Sequence, residues 1–275
     1  ASVYFWNGID YATYNTSLNS GTAGSQGGTP DGEIATGQAF FVDAKSGGGT
    51  VTMTNAMRGT DSNIFYKKES YPYVRLNLQG TEGKSDLLLT GHSRSSKGFD
   101  DYDSKHLTGH GSLNLTTLFD GVAYDIESVP QIEGNTFDLQ VEAAVAQKIT
   151  FNLQDISDLN GMQIYLEDRE NGVVVNITND VYTSYVSEGT HSNRFKLRIA
   201  KEDAVFTAWV DNDGSVQVFG NEEMNSLSAR LIDLNGKLIA HSDNMSFANW
   251  NNISKGVYLL EITTSKTKHI QKIIK

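Results

Sequence analysis

Short strand-like segments recur about every ten residues through the middle of this chain, and this spacing leaves little room for helices. Segments rich in β-branched and aromatic residues, separated by Gly, Asn and Asp turns, are typical of β-sandwiches. Between residues 72 and 200 they are Val74–Leu78, Leu87–Thr90, Phe137–Val141, Lys148–Leu153, Met162–Glu167, Val173–Ile177 and Arg194–Ile199. The Asn171-Gly172 pair supplies the positive φ angles of a hairpin turn, so we predict that the strands on either side of it pair.

The pattern restarts near Ala200–Ala204, which divides the chain into two predicted domains. The second set of strands is Val205–Val210, Ser215–Phe219, Ser228–Asp233, Lys237–His241, Val257–Thr263 and His269–Ile274. Asp211–Gly214 and Asn235-Gly236 have the composition of hairpin turns. We therefore predict an all-β protein: an N-terminal, jelly-roll-like β-sandwich at residues 1–203, then a small Ig-like β-sandwich at residues 204–275.

The charge of the chain is negative and unevenly distributed. The net charge is −11, from 22 basic and 33 acidic residues, and residues 204–275 hold seven of each. The whole excess therefore lies in residues 1–203, which disfavours a nucleic-acid partner because phosphates are repelled. The chain has no cysteine, and no apolar run approaches the ~20 residues of a membrane-spanning helix. Because Ala1 leads directly into a strand, we expect a processed or truncated fragment.

Three C-terminal motifs carry a family resemblance. They are Ala229–Ile239 (ARLIDLNGKLI), Gly256–Ile262 (GVYLLEI) and Lys268–Lys275 (KHIQKIIK). In order and spacing, this segment resembles the type A sorting domain of type IX secretion cargo. The resemblance implies export across the outer membrane, to the cell surface or beyond. It implies capture by an outer-membrane shuttle barrel, passage through the type IX translocon, cleavage by a sortase-like protease near Ala200–Val205, and attachment to surface lipopolysaccharide.

The last strand has two open interpretations. The final twenty-one residues contain five lysines and a single acidic residue, Glu261. A basic and apolar terminal strand suits docking by strand addition, whereas an ordinary last strand would use its lysines to protect an edge. The motifs imply the following receptor-binding residues: Asn235, Gly236, Lys237, Gly256, Val257, Tyr258, Lys268, Ile270, Lys272, Ile273, Ile274 and Lys275.

The first 203 residues resemble a β module that precedes this sorting domain in large bacterial surface proteins. The matching stretches are Tyr4–Gly8, Gly37–Val42, Gly98–Asp103 and Asn193–Leu197. The resemblance implies a non-catalytic stalk or adhesin module. The alternative is a carbohydrate-binding module of a secreted glycan-degrading enzyme, because aromatic residues crowd the first part of the chain. These are Tyr4, Phe5, Trp6, Tyr11, Tyr14, Phe40 and Phe41, and they belong either to the core or to a sugar-stacking face.

Sites for metals and catalysis are weakly indicated. Asp100, Asp101 and Asp103 place three carboxylates beside a glycine, which suits either a calcium loop or a solvated acidic turn. Asp211–Gly214 is better explained as a hairpin turn than as a calcium loop. His92, His106 and His110 make a poor zinc motif, because glycines flank His110 and break the helix that would align the pair. No cysteine nucleophile or Gly-x-Ser-x-Gly elbow is present. Two carboxylates that face a sugar across a cleft are the catalytic alternative that the sequence leaves open. Our prediction is a protein without enzymatic activity.

Overall fold

The protein is described by a computed structural model that covers residues 2–44, 46–59, 71–201, 206–211, 214–220, 228–243, 247–263 and 268–275. Within these ranges the chain forms twenty-two β-strands and one short 3-10 helix, Asn55–Met57. The predicted all-β fold is confirmed. The described residues include no helix of the length and apolarity that a membrane crossing requires.

A small antiparallel sheet begins the chain. Its strands are β1 (Ser2–Trp6), β2 (Tyr11–Asn15), β3 (Ser20–Thr22) and β4 (Phe41–Val42), in the spatial order β3-β2-β1-β4. One face packs Phe5, Ala12 and Tyr14 into a minor core. The other face is joined to the rest of the module by polar contacts, among them the bond from Thr13 Oγ1 to Asp125 Oδ2 at 2.8 Å.

A second sheet of eleven strands forms most of the N-terminal module. The strands are β5 (Tyr73–Gly80), β6 (Lys84–Gly91), β7 (Ser104–Lys105), β8 (Leu113–Phe119), β9 (Val122–Val129), β10 (Thr136–Ala143), β11 (Gln147–Ser157), β12 (Met162–Asp168), β13 (Val173–Asn176), β14 (Val181–Val186) and β15 (Gly189–Lys201). Their order is β13-β12-β15-β10-β8-β9-β6-β5-β11-β14, with β7 on β9. The predicted hairpin is confirmed as β12–β13, and the pair β6–β9 is parallel.

The eleven-stranded sheet folds over on itself around one hydrophobic core. Phe151 of β11 and Phe195 of β15 lie at opposite parts of the strand order, yet their rings are 4.9 Å apart and both side chains are buried. The core also receives side chains from β5, β6, β8, β10, β12 and β14. The two layers of the predicted sandwich are therefore parts of one hydrogen-bonded sheet, which curls until its ends approach each other.

The C-terminal domain is a sandwich of two smaller sheets. One contains β16 (Phe206–Val210), β17 (Val216–Gly220) and β20 (Phe247–Trp250), in the order β16-β17-β20. The other contains β18 (Ser228–Asp233), β19 (Leu238–Asp243), β21 (Val257–Thr263) and β22 (Lys268–Ile274), in the order β19-β18-β21-β22. Between them lies a core with Val216, Val218 and Trp250 on one side and Leu231, Leu260 and Ile273 on the other.

Candidate functional site

The last strand, β22, lies at the edge of its sheet. It pairs with β21 in antiparallel register, with Ile273 opposite Tyr258 and Ile270 opposite Glu261. Among the described residues, no strand pairs with its other side. Side chains alternate along the strand, so Ile273 is 4% exposed in the core whereas Ile270 and Ile274 are 60% and 66% exposed. The side chain of Lys268 is outside the described part of the chain.

The backbone of β22 offers hydrogen-bonding groups to a partner. Gly256 and Lys275 exchange both of their backbone hydrogen bonds, at 3.1 and 2.9 Å. In an antiparallel pair such exchanges occur at every second position. The N–H and C=O groups of Ile270, Lys272 and Ile274 therefore point away from β21, toward the free edge. The residues with outward side chains thus also carry the unpaired backbone groups.

The three motifs of the sorting domain lie on adjacent strands. Asp233 of β18 is opposite Tyr258 of β21, which is opposite Ile273 of β22. The Asn235-Gly236 turn therefore lies at the same end of the sheet as Gly256, Val257 and Lys275. Its geometry is that of a hairpin: Gly236 has φ +81°, and Gly236 N donates to Asp233 O at 3.0 Å.

Several motif residues stabilise the domain. Tyr258 is buried and its hydroxyl donates to the carbonyl oxygen of Ser254 at 2.8 Å. A Cβ atom at Gly256 would lie 3.2 Å from the hydroxyl oxygen of Tyr258, so glycine lets this ring fold back over the strand. The ammonium group of Lys275 donates to the carbonyl oxygen of Ile253. Asn235, Gly236 and Lys237 are exposed in the turn.

The outer face of the same sheet has an apolar band. Leu238, Ile232 and Leu259 follow one another across β19, β18 and β21, and the register continues to Lys272 on β22. Leu238 is 43% exposed, and Ile274 ends the band at the free edge. An apolar face beside an unpaired strand edge is the combination that strand addition uses, because backbone bonds and side-chain contacts form together.

The acidic loop of the N-terminal module does not present its carboxylates as a cluster. Asp100 accepts hydrogen bonds from Ser96 N at 2.6 Å and Tyr102 N at 2.8 Å. Asp103 is 2% exposed and accepts from Asp100 N and Ser128 N, each at 2.8 Å, while Asp101 is exposed. Within the described ranges, no group of three or more His, Asp or Glu side chains is arranged to hold a metal ion. The geometry therefore gives the calcium prediction no support.

The three histidines considered for zinc have different surroundings. His92 is buried and stacks on Tyr102, with ring centroids 4.2 Å apart. His106 Nδ1 lies 2.7 Å from Asp125 Oδ1, and His110 contacts the ring of Trp6. Burial lowers the pKa of His106, but the charge of Asp125 outweighs this and raises the pKa to about 9. His106 and Asp125 therefore form a buried ion pair that links the β7 segment to β9.

Sequence reasoning missed a buried polar network that closes the rolled sheet. Asp168 of β12 accepts from Arg194 Nε at 3.0 Å and Nη2 at 2.9 Å, and from Tyr182 Oη of β14 at 2.9 Å. Ser184 Oγ and Asn171 Nδ2 also donate to Asp168, and we call these five residues the buried seam. Burial raises the pKa of Asp168, but the bonds from Arg194 reverse this and leave it below its usual value. The only sequence signal near this network was the Asn171-Gly172 hairpin turn, which follows Asp168.

The two domains touch beside this turn. The guanidinium of Arg169 lies over the ring of Trp209 in β16, 5.0 Å from its centroid. A cleft of about 260 Å³ opens there, lined by Glu170, Gly172 and Gln217 among others. The predicted cleavage segment, Ala200–Val205, is near this junction in sequence, but its residues 202–205 are outside the described part of the chain, as is the predicted domain boundary at 203 and 204.

Comparison with known families gives two matches. Residues 1–199 match a family described as a domain of unknown function (DUF8693), and residues 212–275 match the secretion system C-terminal sorting domain. No curated protein and no solved structure matches the chain. The second match confirms the predicted resemblance at the C-terminus and indicates export across the outer membrane to the cell surface or the extracellular space. The chain therefore belongs to the DUF8693 family and is a type IX secretion cargo protein that carries its sorting domain at residues 212–275.

Proposed function

We propose that the sorting domain is recognised by an outer-membrane shuttle barrel of the type IX system through strand addition at β22. The observation that carries this proposal is the free edge of β22. There Ile270, Lys272 and Ile274 present unpaired backbone groups together with exposed side chains. A receptor strand placed beside β22 would continue the sheet, and Ile270 and Ile274 would set its register. Export then proceeds through the translocon.

The preceding module is the passenger, with the role of a non-catalytic stalk or adhesin domain. Support comes from its buried charged groups, which join strands to one another. Asp168 and Arg194 connect β12 to β15, and His106 and Asp125 connect the β7 segment to β9. After export, a sortase-like protease acts near residues 200–205 and the passenger is attached to surface lipopolysaccharide.

Proline substitution at β22 tests the strand-addition step. Lys272→Pro removes an N–H group that faces the free edge and leaves the bonds to β21 in place. Lys272→Gln is the matched control, because it removes the charge and keeps the N–H group. Residues 1–275 of each variant are expressed behind an added signal peptide in a bacterium with a type IX system, and surface exposure is measured by labelling intact cells. We expect Lys272→Pro to accumulate in the periplasm and Lys272→Gln to reach the surface.

Both variants are purified and melted to confirm that the sorting domain is folded. Normal surface labelling of a folded Lys272→Pro chain would contradict the proposal. Equal retention of both variants would show that recognition depends on charge instead of the backbone edge. Deletion of Lys268–Lys275 is a coarser version of the test, because it also removes Ile273 from the core. It should leave the passenger folded but stranded in the periplasm.

A further inference from the structure

A row of exposed aromatic rings lies at the border of the small N-terminal sheet. Trp6 and Phe41 are 42% and 53% exposed. The ring centroid of Tyr11 is 5.0 Å from that of Trp6 and 5.6 Å from that of Phe41, and the centroid of His110 is 6.2 Å from that of Trp6. We call these four residues the aromatic rim. At this exposure, packing against the rest of the protein does not account for the whole surface of either ring.

The core of this small sheet does not need the aromatic rim. Tyr4, Phe5 and Tyr14 of the same strands are all at most 6% exposed. Trp6 shares a face of β1 with the buried Tyr4, but it is the last residue of the strand, and its ring is left partly uncovered there. The aromatic residues at the start of the chain therefore form two groups, one in the core and one at the surface.

The aromatic rim is held in place by regular structure. Trp6 is directly opposite Tyr11 in the β1–β2 hairpin, and Phe41 is held by β4 beside β1. The turn between β1 and β2 is fixed by Asn7, whose side-chain oxygen accepts from Ile9 N at 3.0 Å and Asp10 N at 2.8 Å. Rings on paired strands lose little freedom when a ligand binds, which favours affinity.

The chemistry of the aromatic rim fits a sugar chain. The face of an aromatic ring carries negative charge density and attracts the weakly positive C–H groups on the face of a pyranose ring. Polar groups that can bond to hydroxyls lie beside the rings, including the exposed side chains of Asp43 and His110. The net charge of −11 lies in residues 1–203, so a polyanionic ligand is repelled. We infer that the aromatic rim binds a neutral glycan.

The ring angles define the form of the ligand. The plane of Tyr11 makes angles of 61° with Trp6 and 87° with Phe41. The rings therefore do not form a flat platform that could lie on a crystalline surface. They suit a single soluble chain that turns from one ring to the next over a few sugar residues. The aromatic rim gives the carbohydrate-binding alternative a site at defined residues. Glycan binding there does not depend on how the sorting domain is recognised.

Affinity electrophoresis of residues 1–275 tests the inference. Native gels contain galactomannan, xyloglucan or laminarin as neutral glycans, and alginate as a polyanion. The variants are Trp6→Ala, Tyr11→Ala and Phe41→Ala. Tyr185→Ala is the matched control, because Tyr185 is 61% exposed on β14 of the large sheet. We expect retardation in at least one neutral gel, about tenfold weaker binding for each rim variant, corresponding to about 1.4 kcal/mol, and no change for the control.

Trp6→Phe keeps an aromatic face and should restore most of the binding, which separates a loss of stacking from a loss of folding. The inference is overturned if no neutral glycan retards the chain, if retardation survives all three alanine substitutions, or if alginate binds as well as the neutral glycans. Capture of a protein through the aromatic rim, without retardation in any glycan gel, would assign the surface to a protein partner and would also overturn it.

Discussion

Replacing Arg194 with methionine tests whether the buried seam holds the two ends of the rolled sheet together. The side chain of Asp168 is completely buried and that of Arg194 is 7% exposed. Methionine fills much of the volume of arginine but leaves the carboxylate of Asp168 without its cation. Removing one partner of a buried ion pair costs about 3–5 kcal/mol, because the remaining charge is desolvated and uncompensated.

Two sets of contacts change this cost in opposite directions. Asp168 keeps the hydroxyl of Tyr182 and the amide of Asn171 as donors, at 2.9 Å each. Arg194 also bonds to Tyr185 O at 2.8 Å and covers the ring of Phe195, and both contacts are lost in the variant. We therefore expect a loss of about 3–5 kcal/mol, or a decrease of roughly 6–20 °C in the melting temperature of the passenger module.

Differential scanning calorimetry of residues 1–275 measures this change. Lys196→Met is the matched control, because Lys196 lies on the same strand and pairs with Asp138, whose side chain is 47% exposed. Its expected cost is below about 1 kcal/mol. A second variant, Asp168→Asn combined with Arg194→Met, removes the buried charge and should recover part of the loss.

The pH dependence gives a sharper criterion. In the wild type the pKa of Asp168 is lowered, so its contribution to stability is present above the unfolded value of 3.8 and is lost as the pH falls through the folded value. Without Arg194 the desolvated carboxyl binds its proton more tightly, so the penalty of Arg194→Met should be larger at pH 7 than at pH 4. An equal penalty at both pH values, or one no larger than that of Lys196→Met, would refute the reasoning.

Four further predictions concern other parts of the chain. Because Asp125 raises the pKa of His106 to about 9, the stability that this pair contributes is complete below pH 6.5 and is lost as the pH rises toward 9. His106→Gln should therefore reduce the change in the melting temperature of the passenger between pH 6.5 and 9. In the sorting domain, Ile273→Ala should cost about 2–5 kcal/mol in a melting experiment and Ile274→Ala less than about 0.5 kcal/mol, because only the first is buried. Burial raises the pKa of Asp103 to about 7, so the fold favours the neutral carboxyl group. The free energy of unfolding of the wild type should therefore decrease as the pH rises from 4 to 7, and Asp103→Asn should remove that decrease. If Asp100, Asp101 and Asp103 form a solvated acidic turn, neither calcium nor a chelator should change the melting temperature of the wild type, whereas a clear increase with calcium would support the calcium loop.

Local features of the fold were predictable from the sequence. Asn171-Gly172 and Asn235-Gly236 mark hairpins that the structure contains, and in each pair the glycine alone has a positive φ, +63° at Gly172 and +81° at Gly236. The edge position of β22 was also accessible, since its motif suggested a basic and apolar strand. These signals lie within a few residues of the structure that they specify.

Long-range pairings were not predictable in the same way. Asp168 and Arg194 are 26 residues apart, and His106 and Asp125 are 19 apart, with nothing in either local sequence to name the partner. The aromatic residues show the same limitation. Alternation assigns Tyr4 and Trp6 to one face of β1, but which part of that face is covered depends on where the small sheet contacts the large one.

The order of strands in the large sheet also bears on how the passenger folds. β5 pairs with β11, where Val74 is opposite Ile156, and β6 pairs in parallel with β9. The partner of β5 therefore lies some eighty residues later in the sequence. Neither half of the module can form all of its strand pairs alone. Topologies of this kind acquire their structure on the millisecond-to-second scale. Until the later strands have formed, the early strands of the passenger therefore keep open edges that can pair with other chains.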